Sequence, residues 1–130
     1  MPTWTAESKG SPAKAWNLIA RPHAWPEWAP HLQGAWGLGD AEVRSGDIGA
    51  ARLLGVVPVL VRITAVDRPR SWSWRVGELV RMDHRVEPSG SGCVLAIDLR
   101  APAPLEAALA RAYGPVIVKS LRRLARAIES

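Results

Sequence analysis

From Val59 to Leu99 the apolar residues recur at every second position, in four runs separated by turns a few residues long. A period of two sends alternate side chains to opposite faces of a β-strand. The breaks at Asp67-Arg68-Pro69-Arg70, Gly77-Glu78-Leu79 and Pro88-Ser89-Gly90-Ser91-Gly92 are far too short for the crossover that parallel strands need. The chain must therefore run up and down as an antiparallel sheet with one apolar face. Val59, Val61 and Ile63 fall on that face, then Trp72, Trp74 and Val76, then Val80, Met82, His84 and Val86, and last Cys93, Leu95, Ile97 and Leu99.

The flanking segments read differently. Thr3–Ala6 is a short strand with Trp4 and Ala6 on one face. Ser11-Pro12 is a helix start, with serine at the N-cap and proline at the first helical position. Apolar residues at helical spacing carry that helix to about Ala20. Pro22, Pro26 and Pro30 leave room for only a turn or two around Trp25 and Trp28. Leu32–Leu38 and Ile48–Leu54 are further strands. After Pro102 and Pro104 the period becomes helical, and Leu105, Leu109, Ala112, Tyr113, Val116, Ile117, Ser120, Leu121, Leu124 and Ile128 form one stripe. Pro115 inside that stripe is expected to kink or split the helix. The class is α+β: six to seven antiparallel strands around a long C-terminal helix, with two short helices after the first strand.

At 130 residues the chain is one domain's worth, 1–130. It has no apolar run long enough to span a membrane and no basic-then-apolar secretory leader at its start. One cysteine, Cys93, excludes an internal disulfide and a cysteine-based zinc site, and three scattered histidines make no metal constellation. The expectation is a cytoplasmic protein without metal or cofactor. Fourteen Arg against three Lys, with twenty Ala, match the codon usage of a GC-rich bacterial genome. Of the net charge of +5, residues 111–130 carry +4: Arg111, Lys119, Arg122, Arg123 and Arg126 against Glu129. A basic polar face near a helix carboxyl end complements the dipole and keeps the helix solvated. Nucleic-acid binding is not expected, since no recognised motif accompanies the charge.

Particular residues sharpen the picture. Ser11-Pro12-Ala13-Lys14-Ala15-Trp16 opens the first helix and Trp25-Pro26-Glu27-Trp28-Ala29-Pro30 follows it. Ile63-Thr64-Ala65-Val66-Asp67-Arg68-Pro69 precedes a tryptophan-bearing strand, and Asp83-His84-Arg85-Val86-Glu87-Pro88 precedes a glycine-rich loop. In this order, over nearly the whole chain, they resemble the START/Bet v 1-like superfamily, in particular its bacterial polyketide cyclase/dehydrase and lipid-transport branch. The resemblance implies a helix-grip fold with a cavity between sheet and terminal helix. Members of that fold bind lipids, hormones or polyketides, cyclise aromatic polyketides, or act as adaptors, so the site must decide the function.

Pairing parity predicts what the cavity holds. The bend at Gly77-Glu78-Leu79 sets Val76 opposite Val80, hence Trp74 opposite Met82 and Trp72 opposite His84. On the next hairpin His84 faces Leu95 or Ile97, and Cys93 lies near the turn, too far for a Cys–His dyad. His84 is then the one ionisable group on an apolar inner wall. It reads as a core histidine, a polar ligand contact or a proton shuttle. Tyr113 sits on the inner face of the last helix. Trp28 plugs the end of the groove, and Trp25 faces solvent or an entrance. Arg52 points outward or, on the other parity, inward as an anchor for an acidic ligand. The expected ligand-binding wall is Trp28, Arg52, Val61, Ile63, Trp72, Trp74, Met82, His84, Ile97, Tyr113 and Ile117, with His84 and Tyr113 as the catalytic candidates.

A dry cavity of about 300 Å³ would cost roughly 7 kcal/mol at about 24 cal/mol per Å³, comparable to the stability of a small domain. A large hollow must hold water or ligand, or be mostly filled. The function expected is binding of a small hydrophobic or aromatic ligand by a monomer or homodimer. The alternatives are a cyclase or dehydratase using His84, and an adaptor acting through the basic helix.

Overall fold

The computed structural model describes residues 2–29, 38, 42–53 and 57–129, with the backbone alone at 52, 53 and 57. Among the described residues six strands form one antiparallel sheet: β1 (Thr3–Ser8), β2 (Ile48–Leu53), β3 (Val57–Asp67), β4 (Ser71–Val76), β5 (Val80–Ser89) and β6 (Gly92–Arg100). The spatial order is β1-β6-β5-β4-β3-β2. Helix α1 (Pro12–Ile19) follows β1, then a 3-10 turn (Pro22–Ala24) and the four-residue α2 (Trp25–Trp28). Helix α3 (Leu105–Ala127) closes the chain and packs on β1, β6 and α2. The expected strand at 32–38 lies, apart from Leu38, outside the described residues.

Local chemistry explains the elements. The Ser11 hydroxyl accepts the Lys14 amide N–H at 3.2 Å and caps α1. At the other end of α1 the last carbonyls lack helical partners, and tryptophans supply them. Trp28 donates its indole N–H to the Leu18 carbonyl at 3.0 Å. Trp25 and Trp72 both donate to the Ile19 carbonyl at 2.9 Å. One short helix is thus tied to α2 and to the middle of the sheet. β3 bulges between Ile63 and Ala65, and its register steps by one residue there.

Pairing follows parity. Trp72 opposes His84, Trp74 opposes Met82 and Val76 opposes Val80. On the next hairpin His84 opposes Ile97, and Cys93 opposes Pro88. Val61, Ile63, Trp72, Trp74, Val86, Leu95 and Ile97 are buried on the inner face, with Leu121, Leu124 and Ile128 of the terminal segment against them. The outer face carries polar pairs. The Arg85 guanidinium meets both carboxylate oxygens of Asp98, at 2.8 and 3.1 Å, and Thr3 donates to the same carboxylate at 2.6 Å.

Two expectations are corrected, the first as to splitting alone. Helix α3 is unbroken from Leu105 to Ala127 with Pro115 inside it, so the proline does not split it. Packing of the second half against the sheet outweighs one missing backbone bond. Gly114, directly before it, leaves room for Trp4: a Cβ there would stand 3.3 Å from the indole nitrogen. And Trp25 does not face solvent; it is fully buried.

Candidate functional site

Trp25 explains the shape of the interior. Its ring stacks on Trp72 with centroids 5.3 Å apart and planes 8° from parallel, and meets Trp74 edge-on at 5.2 Å. Trp72 in turn stacks on the His84 imidazole at 3.8 Å. One half of the space under the sheet is therefore filled by aromatic rings. What remains is a cavity of about 90 Å³, displaced toward the β4–β5 turn. β4, β5 and β6 form its floor, the second to fifth turns of α3 its roof, and Trp28 stands at one side.

Seven of the expected wall residues line it: Trp28, Trp74, Met82, His84, Ile97, Tyr113 and Ile117. Val61, Ile63 and Trp72 do not. Trp72 is covered by Trp25 and His84, and Val61 and Ile63 sit buried on β3, one strand beyond the floor. The side chain of Arg52 lies outside the described residues; its backbone pairs with Pro58. Val76, Val80, Leu99, Leu109 and Ser120 complete the wall. They were missed, although the first three share the inward parity and the last two the helical stripe. Parity says which residues face in; it does not say where along the strands the space is left.

The polar content is small and uncharged. His84 is 4% exposed, and its Nδ1 lies 3.3 Å from the Trp72 carbonyl oxygen. A carbonyl only accepts, so Nδ1 carries the proton and Nε2 keeps its lone pair. Burial lowers the His84 pKa from 6.5 to about 4, although the Trp72 carbonyl and the carboxylates of Asp83 and Asp98 pull the other way. At neutral pH the ring is an uncharged acceptor. The indole N–H of Trp74 is buried without a hydrogen-bond partner, an unmet donor that costs about 1–3 kcal/mol. Tyr113, whose hydroxyl is pushed to a higher pKa by burial, and Ser120 add hydroxyls to the wall.

Cys93 is buried at the far end of the sheet, its thiol raised by burial, so it is a small hydrophobe rather than a nucleophile. His23 is exposed, and His31 is outside the described residues. Among the described residues no three His, Cys, Asp or Glu side chains gather as metal ligands, and no helix is long and apolar enough to cross a membrane.

A curved sheet gripping a long terminal helix over an apolar cavity is the helix-grip architecture. Residues 3–129 match the family described as polyketide cyclase / dehydrase and lipid transport, and the chain belongs to it. Solved structures share the fold at low identity. The Aha1 dimer from Colwellia psychrerythraea is 15% identical with a TM-score of 0.75, covering 98% of this chain and 94% of that one. A point mutant of norcoclaurine synthase from Thalictrum flavum, in complex with a transition-state analogue, is 14% identical with a TM-score of 0.68, covering 98% and 92%. The protein Ara h 8.0201 is 15% identical with a TM-score of 0.70, covering 98% and 95%. No curated protein sequence matches the chain.

Proposed function

We propose that this protein binds a small, uncharged, predominantly apolar or aromatic molecule in the cavity between its sheet and α3. The observation that carries the reading is the apolar space between sheet and helix with a neutral imidazole in its wall, His84, whose Nδ1 is taken by the Trp72 carbonyl and whose Nε2 is left to accept. A ligand hydroxyl donates to the His84 Nε2, while the apolar wall takes the rest. A charged ligand has no counter-charge there, and its desolvation would go uncompensated.

Size narrows the class. A space of about 90 Å³ is worth about three waters, well below the 300 Å³ of a drug-sized pocket. Left dry, it costs about 2 kcal/mol at about 24 cal/mol per Å³, which a domain tolerates. The ligand is therefore the size of a single ring or a short chain, unless the first half of α3 swings out. That half contributes Leu109 and Tyr113 to the roof, while the buried residues of α3 all lie from Gly114 onward.

The family description also supports a cyclase or dehydratase reading with His84 as proton shuttle. A pKa of about 4 leaves about one imidazole in a thousand protonated at pH 7, too few for an efficient general acid. Binding is the better-supported reading.

The test is native mass spectrometry after gentle purification, followed by titration with phenol and with toluene, monitored by tryptophan fluorescence. Binding of phenol, weakened in His84→Leu, is expected. Absence of any retained molecule together with no response to either ring compound would end the proposal.

A further inference from the structure

Four arginines stand side by side on the outer face of the sheet. The register sets Arg62 of β3 opposite Arg75 of β4, Arg75 opposite Arg81 of β5, and Arg81 opposite Arg100 of β6. All four are exposed. Neighbouring strands lie about 4.8 Å apart, so the row spans roughly 14 Å. Like charges directly opposite each other weaken a sheet, so folding alone does not favour such a row. Acidic side chains stand beside the row. Asp83 meets Arg81 at 3.1 Å and also accepts from Ser73 at 2.5 Å. Glu106 accepts the Ala101 amide N–H at 3.2 Å. Glu78 stands at the rim.

Large apolar side chains surround the row. Among the described residues the exposed large hydrophobics are Ile48, Leu60 and Leu79, at 57%, 63% and 62% exposure. Ile48 is paired with Arg62 across β2 and β3, and Leu60 lies two residues before Arg62 on the same face. Leu79, in the β4–β5 turn, shares a groove with Arg75, Arg81 and Arg100. One exposed leucine means nothing; three converging on one line of guanidinium groups form an amphipathic surface. That surface also adjoins the cavity, because Val80 lines both the groove and the apolar interior.

We propose that this face docks on an anionic phospholipid bilayer. The arginines meet headgroup phosphates, and Ile48, Leu60 and Leu79 enter the interface. The cavity end near Val80 then lies next to the membrane. Aliphatic side chains favour lipid over nucleic acid, since bases are held by aromatic stacking and the tryptophans of β4 point inward. The proposal is independent of cavity occupancy.

The experiment is co-sedimentation of the full chain with vesicles of phosphatidylcholine, alone or mixed with phosphatidylglycerol. Pelleting with the mixed vesicles only, weakened by salt, is expected. Arg62→Gln and Arg75→Gln should each lower the partition coefficient roughly five-fold, since each basic group near an anionic surface is worth about 1 kcal/mol. Leu60→Ser and Leu79→Ser should lower it at unchanged charge, and Glu78→Gln should raise it. Circular dichroism confirms that these exposed variants fold, and Arg62→Lys should retain binding. Failure to pellet with the mixed vesicles at low salt overturns the proposal. So do arginine variants that partition like the wild type. Leucine variants that bind unchanged, with a duplex oligonucleotide or an acidic peptide competing vesicles off, assign the face to that partner and overturn it as well.

Discussion

Replacing His84 with glutamine tests the central claim about the site, that its imidazole is desolvated and neutral. The histidine titrates near 6.5 when unfolded and near 4 when folded. Between these values the unfolded chain binds the proton and the folded chain does not, so unfolding stability rises with pH there. The contribution is intact above about pH 6.5 and is lost as the pH falls toward 4. A shift of about 2.5 units at about 1.36 kcal/mol each amounts to about 3 kcal/mol. His84→Gln keeps a neutral polar group and removes the titration. Urea unfolding of both proteins at intervals from pH 7.5 to 4 is the assay. The wild type should lose about 3 kcal/mol more than the variant across that range, with a limiting slope near 1.4 kcal/mol per pH unit. The His84 ring protons should show no titration above pH 5 by NMR. Parallel pH profiles for the two proteins, or a ring titrating near 6.5, would refute the buried neutral histidine and with it the description of the cavity as uncharged.

Three further outcomes follow from the packing. Trp25→Ala removes the ring stacked on Trp72 and should cost about 3–5 kcal/mol in urea unfolding, while indole added to the variant should raise its Tm by filling the space. Asp98→Asn breaks the pair with the half-exposed Arg85. Burial alone would raise the Asp98 pKa, but the Arg85 and Thr3 hydrogen bonds win and hold it low. That stability is present above the ordinary carboxylate range and is lost as the pH falls below it, so the variant should be about 1–2 kcal/mol less stable at pH 7 and converge on the wild type in acid. Amides of residues 106–113 should exchange with solvent well before those of 117–125, because the buried side chains of α3 begin at Gly114. Equal protection along the helix would count against a movable roof.

Strand pairing was legible because it is discrete. A three-residue bend after Val76 admits one pairing of inward residues, and Trp72 opposite His84 follows without knowledge of anything distant. The first helix was legible through Ser11 and Pro12, and the last through its stripe. Cavity position was not. It depends on Trp25, which sequence alone left facing solvent or an entrance, and which in the fold is held inside by the Ile19 carbonyl and the face of Trp72. No periodicity signals that, because Trp25 sits in a four-residue helix between prolines. The arginine row was equally hidden, since Arg62, Arg75, Arg81 and Arg100 are far apart in the chain and meet only across four strands.

The amino-acid order thus determined which side chains share a face and how strands joined by short turns pair, because both are set by a period of two and by turn length, whereas the pairing of β1 with β6 joins distant segments. Tertiary structure decided how the enclosed space is divided, with Trp25, Trp72 and His84 filling one half and a small uncharged cavity left in the other. The reason is physical. Pairing is a local choice between two faces, whereas filling a common volume is a competition among residues from every element, and only the assembled packing settles it.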